Sequence, residues 1–464
     1  MQMGRRNLLK MGAYRTVANW LPAGFGSLQG TGGDYVHAQD TQDPAAVAAE
    51  LLDIMEAHGI QEHPKLGKYY SGYGPSLFTW ETYLDNILLL HVGDTTLGKS
   101  ALKIYLDNQQ TNGFIGRHWP GTTPLKGQDN VWHIYESEEH AQPFLFQIAL
   151  FLARANGGDV SWIDDDIYEK LKKYLEHWDT AWKRDDSDLC VWASAPHSGE
   201  DNQFDRAGVW RSYFCAGADL NSFLYLDYCA AEQIARAKSR AADATKFAAV
   251  AQRTREAVLR LLWDEEDGFF YDRDVRTGKH LKVKSVAGFY PLWAGIPTQE
   301  QAKRIVNEHL MNPKEFWCAH PVPSYAINER NYTQHHIPPP LIDTYYALDE
   351  GHSNWLGGTW GHSNYFITHG LQRYGFDSEA KLLAQKSYDV SAPDKQVREW
   401  FNAETGVGDG GVGIYAGAEI LMRFSWAEIS AKFQPALIED ISKPISGERV
   451  RAAIGLKKTF RITS

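Results

Sequence analysis

Two acidic residues, Glu200 and Asp201, stand side by side in the glycine-flanked segment "SGEDNQFDR". A second acidic segment, "REWFNAETG", carries Glu399 and Glu404. A protonated carboxyl group can donate a proton to a reacting atom, and an ionised carboxylate can accept one. The alternative for any isolated acidic pair is a solvated loop tip. The chemistry that these segments favour is therefore general acid–base catalysis, provided that the fold brings the two segments together.

Length and composition exclude several classes of protein. The chain has 464 residues, of which 43% are hydrophobic and 23% charged, as in a globular protein with a large core. A net charge of −11 opposes binding to nucleic acid or to an anionic membrane surface, so neither partner is expected. The apolar run "PFLFQIALFLA" is too short to span a bilayer. The 16 Trp and 23 Tyr favour a sugar site, although ordinary core packing accounts for most of them individually.

Motifs for cofactors and metals are absent from the sequence. The sequence has neither a glycine-rich phosphate loop nor an alternation of strands and helices, which argues against a nucleotide-dependent enzyme. The 4 cysteines form no CxxC pair, so no structural zinc is expected; Cys190 and Cys215 either pair or stay as buried thiols. His335 and His336, in "HHIPPP", have no further ligand at metal-binding spacing. We interpret that segment as a stiff loop that partly covers a pocket, and we expect no metal.

The N-terminus has the features of an export signal. Arg5 and Arg6, followed by "NLLK", resemble a twin-arginine signal, and the residues up to Ala38 fit a small-residue cleavage site. This pattern predicts an exported, periplasmic protein. The predicted organisation is a signal at 1–38, one main domain at 39–433, and a C-terminal tail at 434–464 without a predicted role.

Helical periodicity dominates the main domain. Val47, Leu51, Ile54 and Met55 recur at helical spacing, and Gly59 ends that segment. Counting such segments gives roughly twelve helices. The predicted segments are 44–58, 79–92, 95–110, 136–156, 163–184, 214–237, 240–263, 285–294, 298–311, 358–374, 377–391 and 413–432.

The strand signal is confined to one hairpin. The segment "GFFYDRDVRTGKHLKVK" predicts two strands with a turn near Thr277 and Gly278. Segments such as "LNSFLYLDYCAA" are apolar nearly all round, which predicts helices that are buried on every side. A closed ring of helices in two layers buries its inner helices in this way. The expected fold is therefore all-α, an (α/α)6 toroid with a small β-hairpin insertion, whose connecting loops gather at one mouth.

Several segments, read in chain order, resemble one family. They are "TWETY", "NQQTNGFIG", "QPFLFQ", "SGEDNQF", "DLNSFLYLDY", "GFFYDRDVRTGKHLKVKSVAGFYPLWAGI", "GGTWGHSNYFITHGLQRYGF" and "REWFNAETGVGDGG". Their order and joint presence resemble glycoside hydrolase family 63, in its mannosylglycerate hydrolase-like branch, which is related to trehalases. The resemblance extends over residues 45–430 and implies an (α/α)6 barrel and an inverting mechanism.

The resemblance also implies the two catalytic groups. It places the general acid at Asp201 and the general base at Glu399. Asn202 then holds the Asp201 loop, and Glu200 is interpreted as a solvated neighbour. For Glu399 the competing interpretation is a salt bridge, for example with Arg398. Glu404 is the alternative base, although "NAETG" also fits a turn.

Further residues correspond to the family's sugar pocket. Trp80 and Glu81 stand where the family usually shows Trp-Asp, and the glutamate carboxylate is one methylene farther out. Gln142 matches the glutamine of the "QP" segment, with a capped helix start as its alternative. Trp360 and Asn364 match the end of the motif RGPVW-x-x-x-N.

Other positions depart from the family or have structural interpretations. Leu356 stands where the arginine of RGPVW-x-x-x-N would be, and Gly358 replaces its proline. Asp219 and Asn221 are expected to brace the barrel.

These observations predict an inverting exo-α-glycosidase that acts on a small α-glucoside or α-mannoside without a cofactor. One alternative is a polysaccharide lyase or unsaturated-uronide hydrolase on the same toroid, with Arg117, His118 and His140 as its candidate groups. A non-catalytic glycan-binding protein is the other. The expected partner is a small carbohydrate, and the sequence makes no prediction of oligomeric state.

Overall fold

A computed structural model describes most of the chain beyond the N-terminal segment. The described residues are 43–72, 76–119, 139–209, 211–334, 354–394, 397–412 and 416–430, with separate C-terminal residues between 432 and 462. The predicted export signal (1–38), His335 and His336 lie outside the described residues.

Helices make up most of the described structure. In chain order they are α1 (Pro44–His58), α2 (Thr79–Val92), α3 (Thr96–Asp107), α4 (Leu145–Ala155), α5 (Asp165–Ala181), α6 (Ala195–Ser198), α7 (Phe204–Ala207), α8 (Ala218–Ala237), α9 (Ala241–Leu261), α10 (Tyr290–Ala294), α11 (Gln299–Arg304), α12 (Gly361–Arg373), α13 (Asp377–Ser391) and α14 (Ala416–Ser430). A 3₁₀ turn leads into α10, and a π-helical segment continues α11. Each predicted helical segment contains one of these helices.

The largest error in a predicted boundary concerns the start of α4. The segment 136–156 was expected to be helical, but α4 begins only at Leu145. The residues before it pair with an earlier loop: Arg117 N–H donates to Glu139, and Ala141 N–H donates to Ile115. Pro143 also disfavours a helical conformation of the residue before it. The connection is therefore extended up to Pro143.

The helices form a closed double ring. Along the inner layer α2 contacts α4, which contacts α8, and the sequence of contacts continues through α10, α12 and α14 back to α2. The outer helices alternate with the inner ones along the chain; α9 packs on α8, α13 on α12, and α1 on α14. Six inner helices in a closed cycle constitute the predicted (α/α)6 toroid. Among the described residues, no helix is both long and apolar enough to cross a membrane.

Aromatic side chains fill the centre of the helical barrel. Trp80 and Tyr83 of α2 both stack on Phe144, with centroid distances of 4.9 and 4.3 Å. Phe144 contacts Phe223 of α8 edge-on at 5.0 Å, and Trp80 lies 5.9 Å from Phe366 of α12. Large rings from α2, α8 and α12 thus pack together around Phe144, and we call Phe144, Phe223 and Phe366 the aromatic floor.

The strands are short and lie in the loops. They are β1 (Ile60–His63), β2 (Gly67–Tyr70), β3 (Leu77–Phe78), β4 (His118–Trp119), β5 (Cys215–Ala216), β6 (Trp263–Asp264), β7 (Phe269–Phe270), β8 (Asp272–Asp274), β9 (Lys279–Leu281), β10 (Thr359–Trp360), β11 (Arg398–Phe401) and β12 (Gly408–Val412). The predicted hairpin is confirmed as β8 and β9, with Asp274 opposite Lys279 and Gly278 at φ 72° in its turn. The sheet β10–β11–β12 was not predicted, and it supports part of the site described below.

The described part of the C-terminal tail packs on the barrel. Arg154, in the last turn of α4, donates to the Lys443 carbonyl at 2.9 Å. Ile441 N–H donates to Gln233 of α8 at 2.7 Å, and Arg461 N–H donates to Glu56 of α1 at 2.6 Å. The tail therefore ties helices of the two layers together, mostly near the C-terminal ends of the inner helices.

The cysteines are free thiols. Cys190 and Cys215 are both buried and unpaired with each other, so the interpretation as buried thiols is confirmed.

Candidate active site

The predicted site residues lie at the starts of the inner helices. Trp80 and Glu81 belong to the first turn of α2, and Trp360 directly precedes α12. Asp201 lies between α6 and α7, ahead of α8, and Glu399 lies on β11, ahead of α14. Since every inner helix is preceded by an outer one that runs in the opposite direction, the N-termini of the inner helices meet at one end of the ring. We call this end the mouth. Helix N-termini carry partial positive charge, which favours carboxylates there.

The Asp201 loop is fixed by its neighbours. Gly199 ends α6 in a left-handed conformation with φ 85°. Asn202 Oδ1 accepts a hydrogen bond from Trp355 N–H at 2.9 Å, and Gln203 Nε2 donates to the Trp355 carbonyl at 2.8 Å. Asp201 itself is partly exposed between the buried Glu200 and Asn202. Asn202 therefore anchors the loop, as predicted, while its contact with a sugar stays a prediction.

The interpretation of Glu200 as a solvated residue is wrong. Glu200 is only 1% exposed, and its Oε2 pairs with Arg206 at 2.7 Å. Arg206 is fully buried and also binds Asp219, at 2.6 Å, and Asp272. Burial raises the pKa of Glu200, and the positive charge of Arg206 opposes this. Sequence adjacency could not reveal this cluster because Arg206 belongs to the following short helix and Asp272 to a distant strand.

This buried ion cluster predicts a large effect on stability. Replacement of Arg206 by Met leaves three buried carboxyl groups without their cation, which costs about 3–5 kcal/mol of unfolding free energy near pH 7. The loss should shrink as the pH falls, because Glu200 and Asp272, whose pKa values are raised by burial, then become protonated. Urea unfolding at several pH values measures both effects.

Arg236→Met is the matched control. Arg236 is 66% exposed and pairs with Glu232 on the surface of α8. Its replacement is expected to cost less than about 1 kcal/mol. Equal losses in the two variants would contradict the role given to the Arg206 cluster.

Glu399 is held at an irregularity of a small sheet. Strand β11 pairs with β10 through Trp400 and Trp360, and its register with β12 shifts between Arg398 and Trp400. Such a bulge reorients the side chain at the irregular position. Gly410 stands close by at φ 76°, and a Cβ atom there would lie 2.6 Å from Glu399 Oε2. Glu399 is 4% exposed.

Arg398, the suggested salt-bridge partner of Glu399, and Glu404, the alternative base, both have structural surroundings of their own. The guanidinium of Arg398 pairs with Asp394 at 2.8 Å. Glu404 is exposed, and the N–H groups of Glu404 and Thr405 both donate to Asn402 Oδ1 at 3.0 Å. The interpretation of "NAETG" as a turn is therefore confirmed. These contacts favour Glu399 over Glu404 as the base.

Gly410 allows a direct test of how Glu399 is positioned. A Gly410→Ala substitution forces the methyl group against Glu399 Oε2, and misplacing a catalytic group by 1 Å costs up to about 100-fold in rate. We expect kcat to fall by roughly this factor with a smaller change in KM. Steady-state kinetics of the purified variant provide the measurement.

Gly67→Ala supplies the control for backbone strain. Gly67 has φ 74°, like Gly410, but no atom lies within 4 Å of its added Cβ. The control should lose some stability and keep its kcat. If Gly410→Ala kept full activity, Glu399 could not depend on this close contact.

A tryptophan that sequence analysis did not single out connects the two acidic segments. Trp355 stacks on Trp360 with a centroid distance of 3.8 Å and an angle of 8°. Its backbone holds Asn202, next to Asp201, while Trp360 pairs with Trp400, next to Glu399. One stacked indole pair therefore supports both loops. The available signal was the aromatic pair in "NWLGGTW".

The start of α2 contributes a second side of the mouth. Trp80 is 6% exposed, and a Cβ on Gly199 would lie 2.7 Å from its ring, so the Asp201 loop packs directly on Trp80. Burial raises the pKa of Glu81 to about 7, opposed by its backbone N–H and by Arg117. Glu81 Oε2 has no hydrogen-bond partner among the described residues. Near neutral pH this carboxyl group can therefore both donate and accept hydrogen bonds.

Gln142 and Asn364, both predicted to shape the sugar pocket, make hydrogen bonds to neighbouring segments of the protein. Gln142 Nε2 donates to the His197 carbonyl at 3.0 Å, and its Oε1 accepts from the Thr79 hydroxyl. Gln142 thus joins the start of α2 to the segment before Asp201. The Asn364 amide donates to the Pro321 carbonyl at 2.9 Å and to Ser387 at 2.8 Å. Both N–H groups of Asn364 are therefore used inside the wall, while its predicted role in the sugar pocket stays a prediction.

The two positions that depart from the family motif, Leu356 and Gly358, are tightly packed. A Cβ at Gly358 would lie 2.8 Å from the Trp400 ring, so a larger residue does not fit without a shift. Leu356 is 1% exposed, and its carbonyl accepts from Thr333 N–H at 3.1 Å.

The residues predicted to brace the barrel do so. Asp219 binds Trp192 Nε1 at 2.9 Å as well as Arg206. Asn221 binds both backbone groups of Cys190.

Two of the three groups proposed for a lyase, His140 and Arg117, are used in structural contacts. Both ring nitrogens of His140 face backbone groups, of Ile115 and Tyr174, at 3.1 and 3.2 Å. Arg117 pairs with Glu139 at 2.5 Å. Neither group is available as a base or as a site for an acidic polymer, so the lyase alternative is not favoured.

An (α/α)6 toroid with acidic loops at an aromatic mouth fits the class of α/α-toroid glycoside hydrolases. Residues 74–427 match the family model described as "Mannosylglycerate hydrolase MGH1-like glycoside hydrolase domain". This match covers most of the chain. The chain therefore belongs to the mannosylglycerate hydrolase-like glycoside hydrolase family.

Individual relatives agree with this assignment. The chain is 28% identical over 177 residues to the mannosylglycerate hydrolase of Rubrobacter radiotolerans, covering 38% of this chain and 36% of that protein. It is 31% identical over 180 residues to the Thermus thermophilus mannosylglycerate hydrolase, covering 38% and 36%. The aligned segments thus span little more than a third of these relatives.

The fold is shared over a greater length. The solved mannosylglycerate hydrolase of Thermus thermophilus superposes with a TM-score of 0.63 at 17% identity, covering 82% of this chain and 99% of that one. The neutral trehalase of Saccharomyces cerevisiae superposes with a TM-score of 0.54 at 16% identity, covering 88% and 81%.

Proposed function

We propose that the protein is an inverting exo-α-glycosidase that hydrolyses a small α-glucoside or α-mannoside, including glycosides of glycerate. The observation that carries the proposal is the connection of the two acidic loops through the stacked pair Trp355 and Trp360. Two carboxyl groups held at one aromatic mouth are what hydrolysis of a glycosidic bond requires.

Asp201 and Glu399 have complementary tasks in this mechanism. Asp201, protonated, donates its proton to the leaving glycosidic oxygen. Glu399, ionised, removes a proton from a water that attacks the anomeric carbon from the opposite face. The two carboxyl groups of an inverting enzyme stand about 6.5–9.5 Å apart to admit this water. Position and proton transfer suffice for the reaction, and the chain's own residues provide both.

The closed barrel supports action at a chain end. Phe144 and Phe366 of the aromatic floor pack against Trp80, so a sugar that enters at the mouth meets aromatic rings. A terminal sugar residue fits such a pocket. Glu81 and Trp80 then contact the hydroxyl groups and the apolar face of that sugar.

A panel of substrates tests the proposed activity. Purified protein is incubated with mannosylglycerate, glucosylglycerate, trehalose and other α-linked disaccharides, and free sugar is quantified. Release of glucose or mannose from at least one of them supports the proposal. An unsaturated product that absorbs ultraviolet light would select the lyase instead. Glycan binding without hydrolysis would select the non-catalytic alternative.

We also propose that the protein is exported to the periplasm by its twin-arginine segment. Arg5 and Arg6 support this proposal. Cell fractionation of the full chain and of a variant with both arginines replaced by lysine tests it. Retention of the variant in the cytoplasm is expected, and equal distribution of the two forms would contradict export by this route.

A further inference from the structure

His362 is a buried histidine at the mouth with no role so far. It lies in the first turn of α12, two residues after Trp360, and is 3% exposed. Its ring centroid lies 5.2 Å from Trp80, 5.3 Å from Trp355 and 6.0 Å from Trp360. The ring is therefore surrounded by the indoles that line the candidate site.

Neither nitrogen of this ring has a hydrogen-bond partner within the part of the chain that the structure describes. Both Nδ1 and Nε2 are buried without a partner among the described residues. Other buried histidines of the described chain are satisfied: His140 bonds to backbone at both nitrogens, and so does His197. A buried polar group without a partner costs free energy, so each such group in a native protein needs an explanation.

The chemistry of the ring suits a neutral ligand. Burial lowers the pKa of His362 to about 3, so the imidazole is neutral at physiological pH. A neutral imidazole offers one N–H donor and one nitrogen acceptor. A sugar hydroxyl group is both donor and acceptor and bears no charge. Trp80 Nε1, in the ring 5.2 Å from His362, and Oε2 of the adjacent residue Glu81 are likewise buried without partners among the described residues.

We propose that His362 is a positioning and specificity residue that binds hydroxyl groups of the hexose in the cleaved position. This inference rests on the proposed function for the identity of the ligand as a sugar. The ligand completes the hydrogen bonds that the folded chain leaves open at His362. The aromatic rings around it exclude water and so strengthen the discrimination between hexoses that differ at one hydroxyl.

Hexose binding tests this inference independently of hydrolysis. Titration calorimetry, supported by intrinsic tryptophan fluorescence, compares glucose, mannose and their monodeoxy analogues in wild type, His362→Phe and His362→Gln. We expect His362→Phe to bind the preferred hexose about tenfold more weakly. One monodeoxy analogue should bind wild type about as weakly as the full hexose binds His362→Phe. Its affinity for His362→Phe should not be lower still. His362→Gln keeps a donor and an acceptor and should recover part of the affinity.

Stability separates a binding role from a structural one. Since His362→Phe removes two unpaired buried nitrogens and retains a ring, its Tm should equal or exceed that of wild type. His63→Phe, in the β1–β2 hairpin, is the control and should bind sugars as wild type does.

Each outcome decides the inference. Equal discrimination among the deoxy analogues in wild type and His362→Phe would overturn it, and so would the absence of hexose binding by wild type. Sugar binding that depends on His362, without hydrolysis of any glycoside, would retain the inference and remove the proposed reaction.

Discussion

Replacement of Asp201 by Asn is expected to lower kcat on an unactivated α-glycoside by about 10²- to 10⁴-fold, the range that a general acid supplies. The leaving alkoxide departs poorly unless a proton reaches it. A glycosyl fluoride needs no such proton, because fluoride is a good leaving group. On the α-fluoride of the accepted sugar, the variant should therefore remain within about tenfold of wild type.

The dependence on the leaving group distinguishes acid catalysis from a general loss of structure. Asp186→Asn, a replacement of an exposed aspartate in a nearby loop, is the control and should behave as wild type on both substrates. The fold of each variant is checked by circular dichroism. An equal loss of activity of Asp201→Asn on the glycoside and the fluoride would remove Asp201 from the role of acid.

Replacement of Glu399 by Gln is expected to have an equally large effect with a different signature. Both the glycoside and the fluoride need an activated water, so kcat should fall by about 10²- to 10⁴-fold on each. The comparison of the two variants on the two substrates assigns acid and base separately. The measurement is the ratio of initial rates at saturating substrate.

Glu404→Gln is the matched control for Glu399. Glu404 lies five residues further along the same segment, is exposed, and accepts a hydrogen bond from Tyr332 at 3.2 Å. It should keep nearly full activity. Loss of turnover in Glu404→Gln, with activity retained in Glu399→Gln, would exchange the two assignments.

The fold could be predicted from the sequence because the hydrophobic periodicity and the lengths of the helical segments were sufficient. Helices α1, α2 and α13 have the predicted bounds at both ends, and buried helices such as α8 were recognised by apolar residues on every side. The start of α4 was missed, since the pairing of residues 139–141 with residues 115–117 is a long-range contact. The sheet β10–β11–β12 was missed for the same reason.

Residues of the candidate site could be predicted where a sequence motif contains them. Contacts between side chains that are distant in sequence could not. Asp201 and Glu399 were selected by their segments, and the structure places both segments at the mouth. Glu200 was misinterpreted because its partner, Arg206, is a helix residue whose other partners are distant in sequence. Trp355 has no chemical signature of its own, and only its stacking on Trp360 reveals its role.

The central claim is that Asp201 and Glu399 act on opposite faces of one sugar, and the first anomer released tests it most directly. Proton NMR follows the anomeric signals during rapid hydrolysis of the best α-glycoside of the panel, before mutarotation. We predict that the β-anomer of the free sugar appears first, because water attacks from the face opposite the leaving group. Initial release of the α-anomer would contradict the account, since it would require both carboxyl groups to act through a covalent sugar–enzyme intermediate.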